Sequence, residues 1–245
     1  MEISPSELRQ MASTVDDMHH EAMKTFGEET AELHLEAAGS TRRRFITGAA
    51  VGGAAVAIGS AFVPVSSLLA PAGASVAITD ADIAVFAESV ELAAVAAYGM
   101  AAPVLSAATK DVAVLFQSHH QAHAEAFASL SGGKATGKPN AKLVTALTPT
   151  LTAIKDEKAA LEFAFGLENQ AAETYAFALT VLMDKAAFSG TATILPIESA
   201  HAGVLAAALG LALDAMFPTG AFIAAQVGDG TDIKKGIDPA TYPVG

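Results

Sequence analysis

Between residues 80 and 214 the apolar positions recur at helical steps of three and four, and almost nowhere at the alternating steps of a strand. Alanine-rich runs with few β-branched clusters carry the same preference for helix over sheet. Punctuation residues divide the pattern into four segments. Thr79-Asp80-Ala81-Asp82 forms an N-terminal capping box, and the helix it opens runs to about Ala102, before Pro103. A second helix spans about Asp111 to Leu130 and stops at Ser131-Gly132-Gly133, after which a polar, glycine-rich connection leads to Asn140. Thr148-Pro149 reads as the start of a third helix, with proline in its first turn, reaching about Ala187. Ser189-Gly190 reads as a break, and a fourth helix covers about Ile194 to Asp214. The expected fold class is all-α, with a four-helix bundle over residues 75–214 and a coil tail over 215–245, where Pro218, Gly220, Gly228, Gly230, Gly236, Pro239 and Pro243 fall.

The chain ahead of the bundle has two parts. Residues 1–40 are polar and acidic, with Glu28, Glu29, Glu32 and Glu36, and read as a short polar helical extension. Its histidines, His19, His20 and His34, are given no role. Residues 41–74 begin with Thr41-Arg42-Arg43-Arg44-Phe45-Ile46 and continue as an uncharged run rich in glycine and alanine. The run closes on Ala72-Gly73-Ala74, which has the small-x-small form of a cleavage site. Together these features resemble a twin-arginine export signal, and so imply the twin-arginine translocation machinery as a partner and a periplasmic, envelope or extracellular destination. An uncleaved membrane anchor is the competing reading, since the run is long enough to span a bilayer. Pro64 and Pro71 weaken a continuous spanning helix. The acidic leader has two explanations, a start at Met11, Met18 or Met23 or a long leading region.

Composition narrows the function classes. A net charge of −12 argues against nucleic acid as a partner, because phosphate binding needs a positive field. The absence of cysteine removes disulfides, thiolate metal sites and cysteine nucleophiles. The glycines near Gly48, Gly52 and Gly53 follow no strand and open no βαβ unit, so they do not form a dinucleotide loop. Asp229-Gly230-Thr231-Asp232 lacks the acids and spacing of a calcium loop.

The chemistry lies in a repeat. The first helix carries Glu91 with Tyr98 seven residues on, and the third carries Glu168 with Tyr175 at the same step. The second helix carries His120 and His123, the fourth Glu198 and His201, each pair one turn apart on one face. Both glutamates sit on apolar stripes, among Ala87, Ala94, Val95 and Tyr98 and among Phe165, Ala171, Ala172 and Tyr175. A buried carboxylate or imidazole needs a partner, and divalent cations can balance several inward carboxylates at once. A single glutamate on each of two helices, with Glu-x-x-His on each of the other two, is the di-metal carboxylate pattern. Imidazole with carboxylate suits iron, manganese or zinc.

On these motifs residues 80–214 resemble the ferritin-like superfamily, and more closely the ferritin-like domain family that includes desiccation-related proteins and exported bacterial proteins. The resemblance implies metal ligation by Glu91, His123, Glu168, Glu198 and His201, with one or two ions per chain. His120 stands where the pattern has glutamate, so the chain has one carboxylate fewer; Glu88, one turn before Glu91, is a substitute to weigh. Tyr98 and Tyr175 read as core residues that hydrogen-bond to the ligands. His119, turned about 100° from His120, reads as solvated, and Glu125, Glu157, Glu162 and Glu173 as exposed charges. Two function classes follow: a metal protein, with oxidoreductase chemistry open, and a stress-protective bundle whose site has degenerated. Self-association into a homo-oligomer is left open.

Overall fold

The computed structural model describes residues 3–44 and 78–212. The uncharged run after Arg44 and the C-terminal tail, with the cleavage site and coil read there from sequence, lie outside the described residues. Among those described there are six α-helices and no strand. They are α1 (Pro5–Arg44), α2 (Asp80–Ala101), α3 (Ala107–Leu130), α4 (Ala141–Ala153), α5 (Glu157–Ala178) and α6 (Lys185–Ala208), with a 3₁₀ turn at Ala102–Val104.

Helix α2 begins as the sequence requires. The Thr79 side chain accepts from Asp82 N, and the Asp82 carboxylate accepts from Thr79 N, which completes the capping box. Helix α3 starts a turn earlier than expected, at the extended residue Ser106, and ends where Gly132 and Gly133 adopt positive φ. The third expected helix is two. Asn140 caps α4 by accepting from Leu143 N, and Asp156 caps α5 by accepting from Ala159 N. Pro149 lies inside α4 instead of opening a helix, and Pro196 lies inside α6. Both prolines are exposed, so the carbonyl each one frees a turn earlier faces the wet side of its helix and can bond to water. Helix α6 begins at Lys185, so Ser189-Gly190 is helix rather than break.

Helices α2 and α3 pack as an antiparallel pair, tied by the Gln117 amide donating to the Val95 carbonyl at 2.7 Å and by Lys134 donating to Asp82 at 2.8 Å. Helices α5 and α6 form the second pair, and the two pairs enclose the core. Helix α4 closes one side, where Leu143 packs on Phe86, Val90 and Ala93 and Leu151 on Ala94, Ala97 and Ala101.

Helix α1 lies along α6 and α3. Its inward stripe is Leu8, Ala12, Val15, His19, Phe26 and Thr30, with Met23 half-buried between the last three, at steps of three and four throughout. Leu8, Ala12 and Val15 share a core cluster with Phe116, Val204 and Leu205. Phe26 packs against Ile194 and Phe127 and crosses α6 at Gly190, where an added Cβ would meet the Phe26 ring at 2.4 Å. Residues 5–33 are thus packed on the bundle, not polar on every side.

Candidate metal centre

Four helices deliver six polar side chains to one point in the core. Glu91 comes from α2, His120 and His123 from α3, Glu168 from α5, and Glu198 and His201 from α6. All six are at most 1% exposed. Their donor atoms form two overlapping sets of four, Glu91–His120–His123–Glu198 and His120–Glu168–Glu198–His201. Within each set the atoms lie inside 4.8 Å of one another. His120 and Glu198 belong to both.

His120 is central, not at the edge of the cluster. Its Nδ1 lies 2.7 Å from Glu91 Oε2 and its Nε2 3.1 Å from Glu168 Oε1, so one ring links α2 to α5. His201 Nδ1 lies 3.2 Å from Glu168 Oε2 and 3.3 Å from Glu198 Oε2. The tyrosines cross over: Tyr98 of α2 donates to Glu168 of α5, and Tyr175 of α5 donates to Glu91 of α2. Each half of the repeat thus holds the other half's carboxylate in place. Burial and the facing carboxylates push both phenols well above their ordinary range, which keeps them neutral donors.

Burial opposes the charges of Glu91, Glu168 and the three histidines, and mutual pairing overcomes it. Burial would raise Glu91, but the charge and hydrogen bonds of His120 and His123 bring it down to about 2. Glu168 is held well below its usual range against burial by His120 and His201. Burial would lower the three imidazoles; the carboxylates instead raise His120 well above 6.5, His123 to about 9, and His201 upward. The Glu91 and Glu168 carboxylates therefore face imidazoles that hold protons strongly.

His119 corrects the solvated reading. It is 2% exposed, stacks on His19 of α1 at a ring separation of 3.8 Å, and has no free face. Its Nε2 lies 3.1 Å from Asp16 Oδ1 and its Nδ1 2.9 Å from His201 Nε2. With Asp16 ionised, Nε2–H donates outward and Nδ1 accepts from His201 Nε2–H. His201 Nδ1 then faces Glu168 and Glu198, and that position takes either a proton or a cation.

Glu88 also departs from expectation. It is buried away from the cluster and accepts from the backbone N–H groups of Thr136 and Gly137 at 2.9 and 2.8 Å, which fastens the loop after α3. It does not replace the missing carboxylate. Glu125 and Glu162 are exposed as expected, whereas Glu157 is half-buried and accepts from Ser106 and Thr109.

The donor set fits a metal ion on one further observation. His123 Nδ1 lies 2.8 Å from Glu198 Oε1, yet the two are not aligned for a hydrogen bond, and neither atom, nor His123 Nε2, makes a hydrogen bond elsewhere, their other ion-pair contacts being longer, at 3.7 Å to Glu91 and 3.9 Å to His120. A cation bound by both would satisfy both. Three glutamates and three histidines offer oxygen and imidazole donors in numbers sufficient for one or two ions.

A helical bundle with inward glutamates and histidines from four helices is the architecture in which carboxylate metal sites are built. Residues 79–211, over half of the chain, match the family model of the ferritin-like domain, and the protein belongs to that family. No curated protein and no solved structure matches the sequence. The match begins after α1, so Asp16 and His19 lie outside it. The sequence pattern missed both residues, although the seven-residue recurrence of Leu8, Val15 and the steps onward through His19 to Phe26 carried the signal.

Proposed function

We propose that the buried cluster is a transition-metal centre holding one or two ions, with iron or manganese first and zinc also compatible with its donors. The observation that carries this reading is the pair of four-donor sets sharing His120 and Glu198. Glu91, His123 and Glu198 would hold one ion, and Glu168, Glu198 and His201 the other, with His120 available to either but unable to bridge both as a carboxylate does. A bound ion would supply Lewis acidity and, for iron or manganese, one-electron chemistry. The protein's own part is positional. Tyr98 and Tyr175 orient the two outer glutamates, His119 sets the His201 tautomer, and Phe116, stacked 4.0 Å from His201, keeps water from that ring. Each histidine must release its proton to ligate, so ion uptake and proton release are coupled. We read Thr41–Ile46 and the run that follows as a twin-arginine signal, which would carry the domain out of the cytoplasm already folded and loaded.

One observation favours a second reading. Glu91 and Glu168 are held ionised by the buried imidazoles beside them, so these charges pair with one another without any ion, as in a non-catalytic bundle with a degenerate site. Metal content of the purified full chain after separate loading with iron, manganese and zinc decides between them. We expect at least one ion per chain and a raised melting temperature. Glu168→Ala should remove the bound iron or manganese while circular dichroism stays helical, and the exposed control Glu162→Ala should keep it. No metal under any loading condition leaves the structural bundle.

A further inference from the structure

Helix α1 brings its own donors. Asp16, His19 and His20 stand at i, i+3 and i+4, one turn apart, and one donor atom from each falls within 4.8 Å of the others. Asp16 and His20, four residues apart, place Oδ1 and Nδ1 at 3.1 Å. Taken alone, that pair is an ordinary surface contact of little consequence. His19 is different. It is 6% exposed, and neither ring nitrogen has a hydrogen-bond partner. A buried polar group without a partner is costly, and the stacked ring of His119 satisfies only its face. The inward stripe of α1 would be better served here by leucine, unless the imidazole has something to bind.

We propose that Asp16, His19 and His20 form a second divalent-cation site, outside the matched domain, that takes an ion of borderline softness such as Zn²⁺, Co²⁺ or Ni²⁺. Two imidazoles and one carboxylate are the donors such ions select, and three protein ligands leave a fourth position for water. His19 has the lone pair this needs, since neither of its ring nitrogens is engaged in a hydrogen bond. Asp16 also accepts from His119 Nε2, and a ligating carboxylate is ordinarily hydrogen-bonded in this way. His20 Nδ1–H donates to the Asp16 carbonyl at 2.8 Å, a bond that ligation exchanges for the ion. The site opens to solvent, since the His20 side chain is 75% exposed and that of Asp16 33%, so an ion can arrive without opening the core.

The test titrates the full chain with Co²⁺ and follows visible absorption. In the variant Glu91→Ala/Glu168→Ala, which disables the core centre, one Co²⁺ per chain should still bind. Adding His20→Ala or His19→Ala should weaken that binding at least tenfold, whereas Asp17→Ala, an exposed change on the same turn, should leave it unchanged. A folded core variant that binds no Co²⁺, or His20→Ala and His19→Ala variants that retain its affinity, overturns the site. Should the core variant fail to fold, wild type and His20→Ala decide the matter, because His20 lies at the surface and its loss spares the packing. Loss of one ion per chain supports the site, and equal stoichiometry overturns it. Because this binding is read with the core disabled, failure of the core centre to hold metal would leave it standing.

Discussion

His120 fills the position where the paired-ligand pattern has a carboxylate, and its ring spans the gap between Glu91 and Glu168. Replacing it reverses the local charge. H120E would set four carboxylates together with two imidazoles, so the metal-free protein should lose about 3–5 kcal/mol, the usual cost of breaking a buried pair. The same variant, once loaded with iron or manganese, should regain its melting temperature and hold two ions in the core centre where the parent holds one. Metal analysis beside a thermal melt checks both, and a loaded H120E that still holds a single ion refutes this account of the substitution. The six core residues were legible because helical spacing alone places Glu91 and Tyr98, Glu168 and Tyr175, and the two one-turn pairs on common faces. His119 was not. A turn of 100° takes a residue off one face, but whether it then meets water depends on what covers the next face, and here α1 covers it. The centrality of His120 was likewise hidden, because spacing shows that a side chain points inward but not how far its ring reaches between neighbours.

At the scale of elements, the junction of α1 with α6 rests on a close approach. Gly190 admits the Phe26 ring to the α6 backbone, and nearby the Ser189 hydroxyl donates to Glu29. Gly190→Val would push that ring away. It should destabilise the full chain by about 1–3 kcal/mol, as overpacking does, and should raise hydrogen exchange in α1 before it does so in α2 or α5. Uniform exchange across all helices would show that α1 does not depend on this contact. Gly190 and Pro196 both signal interruption in the sequence, and both lie within α6, because burial of Ile194, Ile197, Glu198 and His201 on one face outweighs local propensity. Asn140 and Asp156 are good caps that went unread beside the louder Thr148-Pro149. The stripe of α1 was faint for a related reason: alanine, threonine and histidine at Ala12, Thr30 and His19 give little hydrophobic contrast against the acidic residues around them.

At the scale of the whole molecule, the signal reading predicts that Arg42→Lys combined with Arg43→Lys will hold the protein in the cytoplasm. Fractionation of producing cells followed by immunoblotting checks this, and unchanged export of the double variant removes the reading. On the same reading, processing after Ala74 would have a further consequence, because α1 lies on the other side of that point from the helices it packs against. In the uncut chain the docking of α1 is an intramolecular event, favoured by an effective concentration on the order of millimolar. After cleavage the same surface joins two separate molecules, and mass action governs it. Phe26, Val15 and Leu8 would then stay in place only while the released peptide remains concentrated or tightly bound, and dilution would free it together with Asp16, the residue that orients His119. A protein of this design would carry its first helix as a dissociable subunit, made in strict one-to-one supply and lost in proportion to the volume into which the product is released.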